Sequence, residues 1–306
     1  MIGWLAVTGS RADVLYVANQ LDSSIEKFTS TGAGSVFAHS PGTGTVGLAF
    51  DGSGNLFASD TNIGQIMKFT PAGVGLIFAT GVNSPAGLAF DNSGNLYAAN
   101  VGSNTIVKFT PQGARSVFAS SGLNGPVGMA FDNAGNLYVG NINNNTIEKF
   151  TPGGVGSLFA SGLSVPEGLV FDSAGDLFVA NFSGNTIEEF TPGGARSVFA
   201  GGGLNGPFGL AFDSSGNLYA ANYSNNTIEK FTSGGVGSLF ANSGLSVPGF
   251  LAFSDDVGVP LSLPIPEPTS LGLLGVVGFA LLCRRVGFTP RRAKLPSPPP
   301  APGSPP

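Results

Sequence analysis

Apolar residues fall in short runs of four or five along this chain, separated by Gly, Asn, Ser and Pro, and the runs recur at a fixed interval. Aligned on the aromatic of the "LY/LF" run, the copies fall at Tyr16, Phe57, Tyr97, Tyr138, Phe178 and Tyr219, with spacings of 41, 40, 41, 40 and 41 residues. Self-similarity at such a period marks a repeat architecture. Each full unit reads as four strands of the type "GLAFD", "NLYAAN", "TIEKFT" and "SVFA", and no stretch in the repeats has helical periodicity. Four strands per unit predict a propeller blade, and six units predict an all-β, six-bladed β-propeller. In "GLAF" the large Leu and Phe share one face and the small Ala takes the other, as suits sheets covered on both faces by their neighbours. A parallel β-solenoid is the alternative repeat fold, although its coils are shorter and do not reverse four times per unit.

The separator between the first two runs is Asp-x-x-Gly-Asn in most copies, as at Asp91 to Asn95. A tight hairpin follows, because Asp bonds its own backbone two residues on and Gly accepts a positive φ. A calcium loop of the EF type requires more carboxylates per turn. A second level of repetition is visible in "GARSVFA", which occurs at Gly113 to Ala119 and again 81 residues later at Gly194 to Ala200. Two-blade blocks have been duplicated, so identity between copies reports common origin as well as shared packing.

The first complete "GLAFD" strand starts at Gly47, whereas Tyr16 already belongs to a second strand. The first blade therefore lacks an N-terminal strand of its own. Phe250 to Phe253 ("FLAF") has no second strand after it and is expected to complete that blade, closing the ring by strand exchange over residues 13–254. Trp4 to Val7 ("WLAV") is the rival donor. Against it, Ser10-Arg11-Ala12 has the small residues of a signal-peptidase site, which assigns residues 1–12 to a signal-peptide remnant cut after Ala12. The apolar run Ile2 to Val7 is short and has no basic n-region, so Met1 is expected to be a misplaced start or the chain truncated.

Composition narrows the function classes. With 48 Gly among 306 residues and only 10% charged, the chain suits a turn-rich β fold with a large core. From Asp13 to Ser254 seven Lys/Arg stand against fifteen Asp/Glu, a net of −8. Such a surface repels phosphate backbones and excludes nucleic acid as the expected partner. The single cysteine, Cys283, lies outside the repeats, so they hold neither a disulfide nor a Cys nucleophile.

Beyond a linker at residues 255–265 come Pro266-Glu267-Pro268, an apolar run from Leu271 to Cys283, and Arg284-Arg285. This order resembles the PEP-CTERM sorting signal, a motif followed by a membrane-spanning stretch and a basic cluster retained by the positive-inside rule. The resemblance implies export from a Gram-negative-type bacterium, transient processing by an exosortase, and delivery to the cell surface or extracellular polymer. The hydrophobic segment is expected to be a short helix that anchors the precursor. Two departures stand out: the uncharged run is shorter than the ~20 residues a spanning helix needs, and residues 286–306 add a Pro-rich tail expected to be disordered.

The unit "GLAFDNSGNLYAANVGSNTIVKFTPQG" resembles the NHL repeat, and the array is similar to the superfamily that includes gluconolactonase-type and virginiamycin-lyase-type propellers. In the gluconolactonase type, a metal-binding carboxylate sits just before the first strand of a blade. The matching positions here are Val46, Ala86, Val127, Glu167 and Phe208. Only Glu167 could ligate, and one carboxylate does not hold a divalent cation. No metal or cofactor is therefore expected, and Glu167 is expected to face solvent or a backbone amide, with ligand binding as its functional alternative. His39 is the only histidine, which excludes His clusters and a conventional triad, and it reads as a solvated loop residue. The second strands end at Asn19, Asp60, Asn100, Asn141, Asn181 and Asn222. Turn capping explains these residues; the sharper expectation is a polysaccharide-facing rim where they act with Phe182 and Tyr223. The expected function is a non-enzymatic structural or binding module, with a metal-dependent lactonase or lyase and a membrane-anchored sensor domain as alternatives.

Overall fold

The computed structural model describes residues 12–255 together with 260 and 261. These residues form twenty-four strands, numbered β1 to β24 along the chain, in six four-stranded antiparallel sheets: a six-bladed β-propeller. A representative blade is β16 (Pro166–Phe171), β17 (Leu177–Asn181), β18 (Thr186–Phe190) and β19 (Arg196–Ala200), paired in chain order. One sheet breaks that order. In it β24 (Pro248–Asp255) lies beside β1 (Asp13–Asn19), followed by β2 (Ser24–Phe28) and β3 (Gly34–His39). Leu15 faces Phe253, Tyr16 faces Ala252 and Val17 faces Leu251.

"FLAF" thus donates the missing strand, and pairing extends beyond it to Pro248 and Asp255. Asp255 belongs to the sheet rather than to the expected linker, and Pro260 forms an isolated bridge back to Ser254. Trp4 to Val7, the sorting motif Pro266 to Pro268, the segment Leu271 to Cys283 and Arg284-Arg285 lie outside the described residues. Among the described residues no helix is long and apolar enough to cross a membrane.

The hairpin turns form as their sequence dictates. Asp91 Oδ1 accepts the backbone N–H of Ser93 at 2.9 Å and of Asn95 at 2.8 Å, and Gly94 takes φ +77°. An Asx turn therefore sets the hairpin register.

The aromatic on which the repeat was aligned is the pin between blades. Tyr97 stands edge-on to Phe118 of its own outer strand and to Phe131 of the next blade, both at 5.0 Å. The same trio recurs at every junction, from Tyr16 with Phe37 and Phe50 to Tyr219 with Phe240 and Phe253. Each contact adds about 0.5–1.5 kcal/mol beyond the area it buries. A repeat of this kind has no core of its own, so its stability resides at the junctions and depends on the ring being closed.

Deleting Gly249 to Ser254 should open the ring and expose the edge of β1, turning one cooperative melting transition into early, multi-step unfolding. Calorimetry checks this, and a deletion variant that melts like the intact chain contradicts closure by β24.

Candidate functional site

Every first strand carries one extra residue against its neighbour, at the same place in all six sheets. In β16, Pro166 lies opposite Asn181 but Leu169 lies opposite Val179, so Glu167 and Gly168 share the span of one partner residue. A bulge bends a strand and re-aims the side chain it carries. Here it turns the residue after the proline towards the axis of the ring. Val46, Ala86, Val127, Phe208 and Phe250 accordingly meet in one buried cluster.

The glycine that follows permits the convergence. A Cβ on Gly128 would fall within 3.0 Å of the carbonyl oxygen of Glu167, and one on Gly168 equally close to that of Phe208. Glu167 is thereby placed between Val127 and Phe208 in the ring. In β24 the order is reversed, Gly249 preceding Phe250, and the larger side chain enters the cluster.

At one end of this ring, its mouth, four of the six residues that follow the second strands pack half-buried against it, Val101, Ile142, Phe182 and Tyr223, the other two being Gln20 and Thr61. Tyr223 stacks on Phe208 with centroids 5.7 Å apart and planes at 22°. Phe182 stands edge-on to Tyr223 at 5.6 Å, and Phe208 edge-on to Phe250 at 5.3 Å. One side of the mouth is thus aromatic, and Glu167 adjoins it through Phe208.

Glu167 corrects the expectation that it faces solvent or a backbone amide. It is only 7% exposed, its Oε2 is buried without a hydrogen-bond partner, and burial pushes its carboxyl up to about 8. The cause is the bulge, which directs the side chain inward among neighbours that carry hydrocarbon. Among the described residues no group of three or more His, Cys, Asp or Glu is placed to hold a metal ion. The ring's donor set, one carboxylate among Val, Ala and Phe, does not fit the divalent cation of gluconolactonase-type propellers.

The asparagine rim is also corrected. Asn141, Asn181 and Asn222 are buried to 1% exposure or less and do not line a surface. Asn141 donates to the carbonyl of Gly122 at 3.0 Å and accepts from the N–H of Asn124, so it fastens the crossover loop from the preceding blade. Asn222 does the same with Gly203 and Asn205. A second set that sequence reasoning missed completes these ties: Asn104, Asn145, Asn185 and Asn226. Each adopts a positive φ and accepts the backbone N–H of Gly125, Val165, Gly206 or Val247 at 2.7–2.8 Å. Their signal is the Asn that precedes each "TI" run. His39 is exposed as expected, at the end of β3 rather than in a loop.

On the opposite face, clefts of about 240–320 Å³ open between neighbouring blades. In four blades a lysine spans this face: Lys108 lies 5.2 Å from the Tyr97 centroid and 3.6 Å from Asp91, and Lys68, Lys149 and Lys230 repeat the arrangement. The β16–β19 blade has Glu189 in place of the lysine and Asp176 in place of the turn asparagine. Burial, then Asp176 and Asp172, raise the Glu189 carboxyl above its ordinary value.

No family model and no curated protein matches the chain. Solved structures match it in fold. Nidogen, solved in complex with laminin, aligns at 23% identity and a TM-score of 0.71 over 79% of this chain and 98% of that one. A catalytically inactive virginiamycin B lyase from Staphylococcus aureus, solved with quinupristin, aligns at 17% identity and a TM-score of 0.62 over 82% and 94%. A gluconolactonase from Xanthomonas campestris aligns at 17% identity and a TM-score of 0.62 over 82% and 90%. At these identities the likeness establishes the propeller fold, which enzymes and a laminin-bound protein share.

Two predictions follow from the carboxylates. The native Glu167 carboxyl holds its proton up to about pH 8, whereas in the unfolded chain it releases it near 4.5. Its contribution to stability is present below about pH 4.5 and is lost as pH rises to about 8, in total on the order of 5 kcal/mol. Denaturant melts from about pH 5 to about pH 8.5 should show this decline, and Glu167→Gln should remove it; identical pH profiles would refute the burial. Glu189→Lys should restore the lysine–carboxylate pair of the other blades, with Asp172 as partner, and stabilise the fold by about 0.5–1 kcal/mol. The gain should shrink in high salt, and a destabilised variant would count against the repulsion.

Proposed function

We propose that this chain is an exported, non-enzymatic propeller that binds polysaccharide at the cell surface or in extracellular polymer, using the mouth of its central channel. The observation that carries the reading is the one-sided aromatic cluster of Phe182, Phe208 and Tyr223 at that mouth. Flat aromatic faces take the apolar faces of sugar rings, and their pre-packed arrangement lowers the entropy lost on binding. The ring beneath contributes one carboxyl, as orientation of a bound ligand requires, rather than the several donors of a metal-dependent lactonase or lyase.

Export is the second half of the reading, and it rests on the order of Pro266-Glu267-Pro268, Leu271 to Cys283 and Arg284-Arg285. In this scheme a signal peptidase cuts after Ala12, the hydrophobic segment holds the precursor in the membrane, and an exosortase then releases the propeller. A chain that stays whole in the membrane fraction of its host would instead support the sensor alternative.

Phe182→Ala and Tyr223→Ala together should lower retention on extracellular polysaccharide about tenfold or more, measured by affinity electrophoresis, with the melting transition still cooperative. Unchanged retention contradicts the channel mouth as the site. Stoichiometric calcium or zinc together with lactone hydrolysis by the purified chain would replace this reading with the enzymatic one.

A further inference from the structure

Glu167 is the one polar side chain in a ring otherwise built from Val46, Ala86, Val127, Phe208 and the Gly249-Phe250 pair. Leaving it there is unfavourable: one carboxyl oxygen is buried with no partner, and none of the ring residues carries a side-chain donor that could supply one. Valine occupies the matching place in two other blades, so packing at the axis does not require a carboxyl. A bound ligand can supply that donor.

The surroundings specify the ligand's chemistry. A carboxylate calls for a donor, and the donor that adds charge complementarity is a cation. The aromatic faces of Phe208, Tyr223 and Phe182 attract cations as well. A divalent metal is a poor match, since it wants several oxygen ligands and the ring has a single carboxylate. An ammonium group brings three donors and one charge, the complement of one carboxylate beside π faces. The pair needs one proton between its two members, so acid plus free amine and carboxylate plus ammonium give the same complex.

Resting on the polysaccharide reading above, the geometry points to an amino-sugar polymer with unsubstituted amines as the ligand: its amine pairs with Glu167 while its ring stacks on the Phe182/Tyr223 side of the mouth. Acetylation of the amine removes the charge and adds bulk, so it abolishes the pairing and leaves the stacking.

The test uses the full chain and three tetrasaccharides in titration calorimetry: de-N-acetylated glucosamine, its fully N-acetylated form, and cellotetraose. The free-amine tetramer should bind at least about tenfold more tightly than either neutral one. Glu167→Gln should erase that preference while neutral binding persists, and Glu167→Val, which places there the residue found in two other blades, serves as a second variant that keeps the ring apolar. Equal binding of the three tetramers, or a preference that survives both variants, overturns the amine pairing and leaves polysaccharide binding intact. Binding of none of them to the unaltered chain, combined with failure of the polysaccharide retention assay, overturns both.

Discussion

Everything near the axis depends on how closely the six innermost strands approach one another. At Gly47, Gly87, Gly128, Gly168 and Gly209 the space a Cβ would need is held by backbone of the next blade. The bulge at the same place lets one side chain per blade turn inward, past that contact. Close approach and inward aim are thus one device: it draws the blades together and lets the residue beside the glycine decide what each blade presents at the axis. Five of the blades use it to bury apolar surface. The β16–β19 blade uses it to bury a carboxyl.

The ring is held elsewhere by repeated interactions. Aromatic trios pin neighbouring blades at every junction, and paired asparagines fasten four of the crossover loops. Because the blades share these ties, single residues can depart from the repeat without dismantling it. The departures gather in adjacent blades: Glu167 and Phe182, then Phe208 and Tyr223, then Phe250. A cluster of exceptions in an array copied by duplication is better evidence for a site than any repeated residue, since repetition alone is explained by shared packing.

Much of the fold was legible in the sequence because its determinants are local and periodic. The spacing of Tyr16, Phe57 and their equivalents counts the blades, Asp-x-x-Gly-Asn writes the hairpins, and an unpaired "FLAF" run implies the strand exchange. The site was legible only in part. Glu167 stands out from Val46, Ala86 and Val127 by type, yet its burial depends on a bulge whose register shift leaves no mark in the residues themselves. The asparagines were legible in part: Asn141 and Asn222 bond Thr146 and Thr227 of their own hairpins, as turn chemistry implies, and their second ties, to the crossover loops, exist only in the packed ring.

The sequence by itself determined the class of fold, the number of blades and how the ring closes, because period, turn chemistry and strand count are properties of neighbouring residues. Tertiary structure alone decided that Glu167 is buried without a partner and that Phe182 and Tyr223 share a mouth with Phe208. Those facts join residues from different blades, and they exist only where six strands converge on a single axis.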